Sequence, residues 1–167
     1  MNENIVTTPA NDPVILIERR FDAPRALVWR CYTEPKHLAH FWGPRDAKTT
    51  TTLDFKVGGV WVTRWAYNNG GNYGYTSVYL EIAPTERIVY RDAPEGWSGG
   101  LDGLPPITLH STIALTEDGP RTNLTVTVRC NSIAERDENV KRGFALMVGT
   151  GNDRLEDYLK TLDPAQA

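Results

Sequence analysis

The chain has 167 residues, of which 40% are hydrophobic and 23% charged, with a formal net charge of −3. That is the length of one domain, too short for two good cores, yet able to bury roughly 70% of its unfolded surface without a disulfide or metal staple. Mild acidity argues against a phosphate-backbone binder, and no run approaches the 18 apolar residues that a membrane span needs.

The first stretch, MNENIVTTPAND, lacks both the basic start and the apolar run of a signal peptide. It reads as a flexible lead-in over residues 1–12, followed by a single domain over 13–163. VILIERRF, residues 14–21, is rich in β-formers and follows a proline, so a first strand is expected there. Asp22-Ala23-Pro24 then has the signature of a helix start, with Asp22 as cap and Pro24 in the first turn. Leu27, Val28 and Cys31 give that helix its apolar stripe. Thr33-Glu34-Pro35 opens a second short helix, which Gly43-Pro44 ends.

From about residue 48 the period becomes two. TTTTLDF, VWVTRWAY, YTSVYLEI, RIVYRD, ITLHSTIALT and NLTVTVR are six further strands, with KVGG, NNGGN and EDGP as turns between some of them. In VWVTRWAY, Trp61, Thr63, Trp65 and Tyr67 share one face, which sends Arg64 outward. His110 and Arg129 are likewise expected in solvent. Residues 92–106, DAPEGWSGGLDGLPP, form the longest connection, of a length that often serves as a lid or binding loop. From residue 133 to about 162 apolar residues recur at three and four, which predicts one long helix of about 28 residues, weakened at Gly149 and Gly151.

This order gives an α+β fold: a curved seven-stranded antiparallel sheet, two short helices between its first and second strands, and a long terminal helix. A sheet with one apolar face needs a cover, and the last helix is the element large enough to supply it. Such a pairing need not close along its whole length, so a pocket is expected between sheet and helix.

Candidates for chemistry are few. Glu34, His37 and His40 share a helix face, but their spacing is not that of a catalytic zinc motif, and no metal is expected. There is no G-x-S-x-G, no G-x-G-x-x-G after a strand and no phosphate-binding loop, so no catalytic residue and no cofactor is assigned. Cys31 and Cys130 lack partner spacing and read as buried, reduced side chains of a cytoplasmic protein. The aromatic residues are more telling. Phe41, Trp42, Trp61, Trp65 and Tyr79 are many for one sheet and its entrance; each could be core, and together they suggest a ligand cavity. Met147 on the last helix faces the same space. Glu81, in period with Tyr75, Ser77 and Tyr79, is the one acidic candidate for it.

Several of these pieces together resemble a known family: Phe21-Asp22-Ala23-Pro24 with Val28-Trp29, Pro35, Leu38, Phe41-Trp42-Gly43-Pro44, Asp54, Val57-Gly58-Gly59, Glu81-Ile82, Pro84 and Arg87-Ile88. The sequence resembles the START-like (SRPBCC, helix-grip) superfamily, in the branch named for the C-terminal domain of the activator of the heat shock protein 90 ATPase. The likeness runs from about residue 14 to 162 and points to a stand-alone domain of the bacterial type. Two departures are visible. Phe41 stands where the family commonly has Trp, and Gly149-Thr150-Gly151 replaces a common Gly-Trp pair, which would leave more room between helix and sheet.

The resemblance implies binding of a small hydrophobic or aromatic molecule by Phe41, Trp42, Trp61, Trp65, Tyr79, Glu81 and Met147. Two alternatives stand beside it: a polyketide cyclase or aromatase-like enzyme using Glu81 and nearby tyrosines, and a protein-interaction module like the co-chaperone domain. No nucleic-acid partner is expected, and a homodimer is the assembly left open.

Overall fold

The computed structural model describes residues 2–106 and 109–166. The lead-in contributes a short strand, β1 (Ile5–Thr7), which pairs antiparallel with β2 (Val14–Phe21), Val6 lying opposite Ile17. Alternation in β2 sends Ile15, Ile17, Arg19 and Phe21 inward. The sheet therefore has eight strands where the sequence pattern suggests seven. All three residues of β1 are exposed, so no apolar alternation marks it and its backbone pairing with β2 defines it.

Helices α1 (Arg25–Thr33) and α2 (Pro35–Phe41) follow. Asp22 does not cap α1. The N-cap is Pro24, with no side-chain cap bond, and the Asp22 carboxylate pairs instead with Arg121 at 3.2 Å. Pro35 opens α2 at its first turn, where its missing N–H is not needed.

Strands β3 (Ala47–Leu53), β4 (Val60–Tyr67), β5 (Asn72–Ala83), β6 (Arg87–Ala93), β7 (His110–Asp118) and β8 (Arg121–Arg129) complete a fully antiparallel sheet in the order β1-β2-β8-β7-β6-β5-β4-β3. The chain enters at one edge and α1 and α2 carry it to the other, from which hairpins lead back to β2. Arg64, His110 and Arg129 are exposed as alternation requires. The first two residues of ITLHSTIALT, 107 and 108, lie outside the described residues.

The expected single long helix is two helices, α3 (Ile133–Lys141) and α4 (Phe144–Leu159). Ser132 caps α3 by accepting from the Glu135 N–H at 3.1 Å, and Glu135 accepts from the Asn131 N–H in return. The break falls at Gly143, whose φ of +89° is left-handed and stops the helical ladder. Gly149 and Gly151 stay helical, and each lies beside a residue distant in sequence. The Asn4 amide packs at Gly149, and the Phe41 carbonyl oxygen approaches Gly151.

Helix α4 is held unevenly. Leu155 and Leu159 in its second half enter the core with Ile15, Ile17, Leu38 and Phe41. Buried Arg19 of β2 ties this half down through ion pairs to Asp153, at 2.7 Å, and to Glu156. In the first half Phe144 and Val148 are only half-buried, and Leu146 and Met147 are exposed. The helix is sealed to the sheet at one end and stands off at the other.

Candidate functional site

Cross-strand register assembles the cavity wall. Trp65 lies opposite Tyr73, Thr63 opposite Tyr75, Ser77 opposite Asp92 and Tyr90 opposite Ser111, so these side chains share the concave face. Between that face, the exit of α2 and the α3–α4 corner is a cavity of about 480 Å³, within the range of small-molecule sites. Trp42, Trp65, Tyr73 and Tyr75 line its mouth, with Trp65 stacked on Tyr73 at 5.6 Å and edge-on to Tyr75 at 5.4 Å. Tyr90, Ser111, Ile113 and Val126 form its floor. Asn139 of α3 and Phe144, Met147, Val148, Gly151 and Asn152 of α4 close it from above.

The segment HLAHFWGP builds the side wall. His37 and His40 hold helix to helix: the His37 Nδ1 is 2.8 Å from the Tyr158 hydroxyl, and the His40 ring stacks on Tyr158 at 4.3 Å. Among the described residues no group of three or more His, Cys, Asp or Glu is placed to hold a metal ion. The Arg154 guanidinium donates to the carbonyls of His40, Gly43 and Pro44 at 2.7–3.1 Å, which fixes the turn that carries Trp42. Thr49 donates to the Trp42 carbonyl at 2.6 Å, and the indole Nε1 of Trp42 donates to the Tyr75 hydroxyl.

The polar groups differ in character. Burial pushes the Tyr75 hydroxyl up to about 12, against the pull of its bond from Trp42. Burial raises Tyr90 further. Both are therefore un-ionised at neutral pH and serve as hydrogen-bonding groups rather than bases. Asp92 lies exposed in the wall, yet its apolar surroundings raise its carboxyl pKa, with Arg91 opposing.

Of the residues singled out in the sequence, Phe41, Trp42, Trp65 and Met147 line the cavity. Trp61 and Tyr79 do not reach it. They form a second layer, with Trp61 4.6 Å from Trp42 and stacked with Tyr79 at 6.1 Å, and with the Trp61 Nε1 donating to Thr51 at 3.0 Å. Glu81 is placed elsewhere altogether. A bulge at Leu80 lets Tyr79 pair with Tyr90 while Glu81 pairs with Val89, which shifts the phase by one residue. Ile82 then turns toward the sheet's packed side, and exposed Glu81 pairs with Arg87, whose Nε donates at 3.0 Å.

Tyr75, Tyr90 and Asp92 carry more of the site than period and composition suggest. Asp92 reads as the first residue of a loop, but counting by two from Tyr90 puts it on the same face.

Residues 22–160 match the family model described as Activator of Hsp90 ATPase homolog 1-like protein. Solved structures share the fold. A protein from Nitrosomonas europaea superposes with a TM-score of 0.80 at 22% identity, covering 92% of this chain and 97% of the other. One from Arthrobacter aurescens gives 0.80 at 21%, covering 95% and 92%. An AHSA1-like protein from Aeromonas hydrophila gives 0.65 at 15%, covering 89% and 92%. No curated protein matches the sequence.

Proposed function

Since the chain belongs to the Activator of Hsp90 ATPase homolog 1-like family, whose START-like fold commonly binds hydrophobic ligands, we propose that its cavity holds a small, mainly hydrophobic, ring-bearing molecule. The observation that carries this reading is the 480 Å³ space walled by Trp42, Trp65, Tyr73 and Tyr75 and roofed by α4. Aromatic faces give large apolar contact with few rotatable bonds, and the hydroxyls and amides among them orient a polar group. The two buried free thiols, Cys31 and Cys130, suit a reducing compartment and support a cytoplasmic setting for that binding.

Native mass spectrometry of the purified chain, followed by a thermal-shift screen of aromatic and lipid-like compounds, tests the proposal. A co-purifying mass, or a shift of several degrees, is expected. The shift should vanish in Val148→Trp, which fills the cavity from the roof without touching the sealed half of α4. No bound mass and no shift across the library would overturn the proposal and turn attention to protein partners.

A further inference from the structure

The charge lining the cavity is one-sided. Among the described lining residues Asp92 is the one carboxylate, and no Lys, Arg or His is present. Its other polar groups are neutral: tyrosine hydroxyls, Ser111, Asn139 and Asn152. Asp92 makes no ion pair and no hydrogen bond among the described residues. The neighbouring Arg91 points to the opposite side of β6, where its guanidinium donates to the Pro105 carbonyl. His110, opposite Arg91 in the ladder, is exposed on that outer side too. The titratable groups that do face Asp92 are Tyr75 and Tyr90, whose hydroxyls its charge helps to keep protonated. The carboxylate thus meets rings and hydroxyls, with no cation on its own side.

We infer that the cavity selects a ring-bearing apolar molecule carrying one protonated nitrogen, and that Asp92 receives that nitrogen. This rests on the cavity being a ligand site. Three effects favour a cation. A charge-assisted bond to Asp92 would form beside aromatic walls at the cavity's one carboxylate among the described lining residues. The faces of Trp65, Tyr73 and Tyr75 attract positive charge. An anion would bring a second negative charge to a site with no counter-ion, which fatty and other carboxylic acids could not avoid.

Isothermal titration of the full chain with three probes of matched shape tests this: 1-naphthylmethylamine, 1-naphthylmethanol and 1-naphthylacetate. In the wild type the amine should bind about tenfold more tightly than the alcohol, and the carboxylate more weakly than either. Asp92→Asn should bring the amine to the affinity of the alcohol and leave the alcohol within about twofold. The wild type alone gives a second reading. The amine stays protonated as pH falls, so its affinity should drop as Asp92 takes up a proton, at a higher pH than an ordinary aspartate would, while the affinity of the alcohol holds. A carboxylate that binds as tightly as the amine, or an amine preference that survives Asp92→Asn, overturns the inference. If the alcohol binds, and weakens in Val148→Trp, without any preference for the amine, the cavity reading stands and the inference fails. If none of the three binds, both fail.

Discussion

The indole of Trp65 packs directly on the α-carbon of Gly43, so closely that a methyl group there would collide with the ring nitrogen. Gly43 also holds a φ of +113°, which L side chains rarely adopt. The two constraints coincide at the turn that ends α2, and they let an aromatic residue of β4 close the gap beside Trp42. Gly43→Ala should therefore lower stability by about 2 kcal/mol or more, through backbone strain and overpacking together. Urea denaturation followed by tryptophan emission measures this. A variant as stable as the wild type, with unshifted emission, would show that the contact relaxes freely.

The thiols give a sharp test of the core. Burial pushes Cys31 up to about 12 and raises Cys130. Reactivity follows the thiolate, so neither should react with Ellman's reagent at pH 8 in the native protein, and two equivalents should appear in denaturant. Rapid native labelling of Cys31 would contradict its place on the buried face of α1.

Much of this architecture can be read from residue order. The strand at 14–21 follows from its β-formers after a proline and that at 60–67 from alternation, and Pro35 and Gly43-Pro44 delimit α2. What escapes is set by long-range pairing. Strand β1 has no apolar pattern, and only its partner β2 makes it a strand. The bulge at Leu80 is a property of the β5–β6 pair, so counting by two carries Glu81 to the wrong face. Trp61 and Trp65 are equivalent in period, yet α2 and Trp42 cover the first and leave the second in the wall. The helix breaks at Gly143, which takes a left-handed φ, while Gly149 and Gly151 keep helical geometry beside Asn4 and Phe41, which are distant in sequence.

Acid should loosen the α2–α4 contact. His37 is buried, and burial lowers its pKa, opposed by Glu34, whose carboxylate lies 3.3 Å from Nε2. A folded-state pKa below the unfolded value means that the unfolded chain binds more protons in this window, so stability rises with pH. The contribution of His37 is present above the unfolded value of about 6.5 and is lost as pH falls through the lower folded value. Glu34 is also held below its ordinary range, first by its bond from Arg30, so its contribution fades in the same direction at still lower pH. The urea midpoint should fall on going from pH 7.5 to 5.5, and His37→Gln should flatten that fall. An unchanged slope in the variant would remove His37 from the account.

The N-terminal strand should matter out of proportion to its exposure. Asn4, just before β1, accepts from the Asn152 side-chain amide at 2.9 Å and donates to the Gly149 carbonyl at 3.3 Å and to Asp153 at 3.2 Å. Asn152 is 2% exposed and lines the cavity roof, so its amide has little access to water as a substitute. Asn4→Ala leaves that buried donor unmet, which should cost about 1–3 kcal/mol. The same change frees the middle of α4 where Gly149 lets the two segments touch. Amide exchange should therefore speed up over α4 near residues 149–153 more than over β7 and β8, whose pairing does not involve the N-terminus. Uniform acceleration across both regions would mean that Asn4 supports the whole fold rather than the seat of the cavity roof.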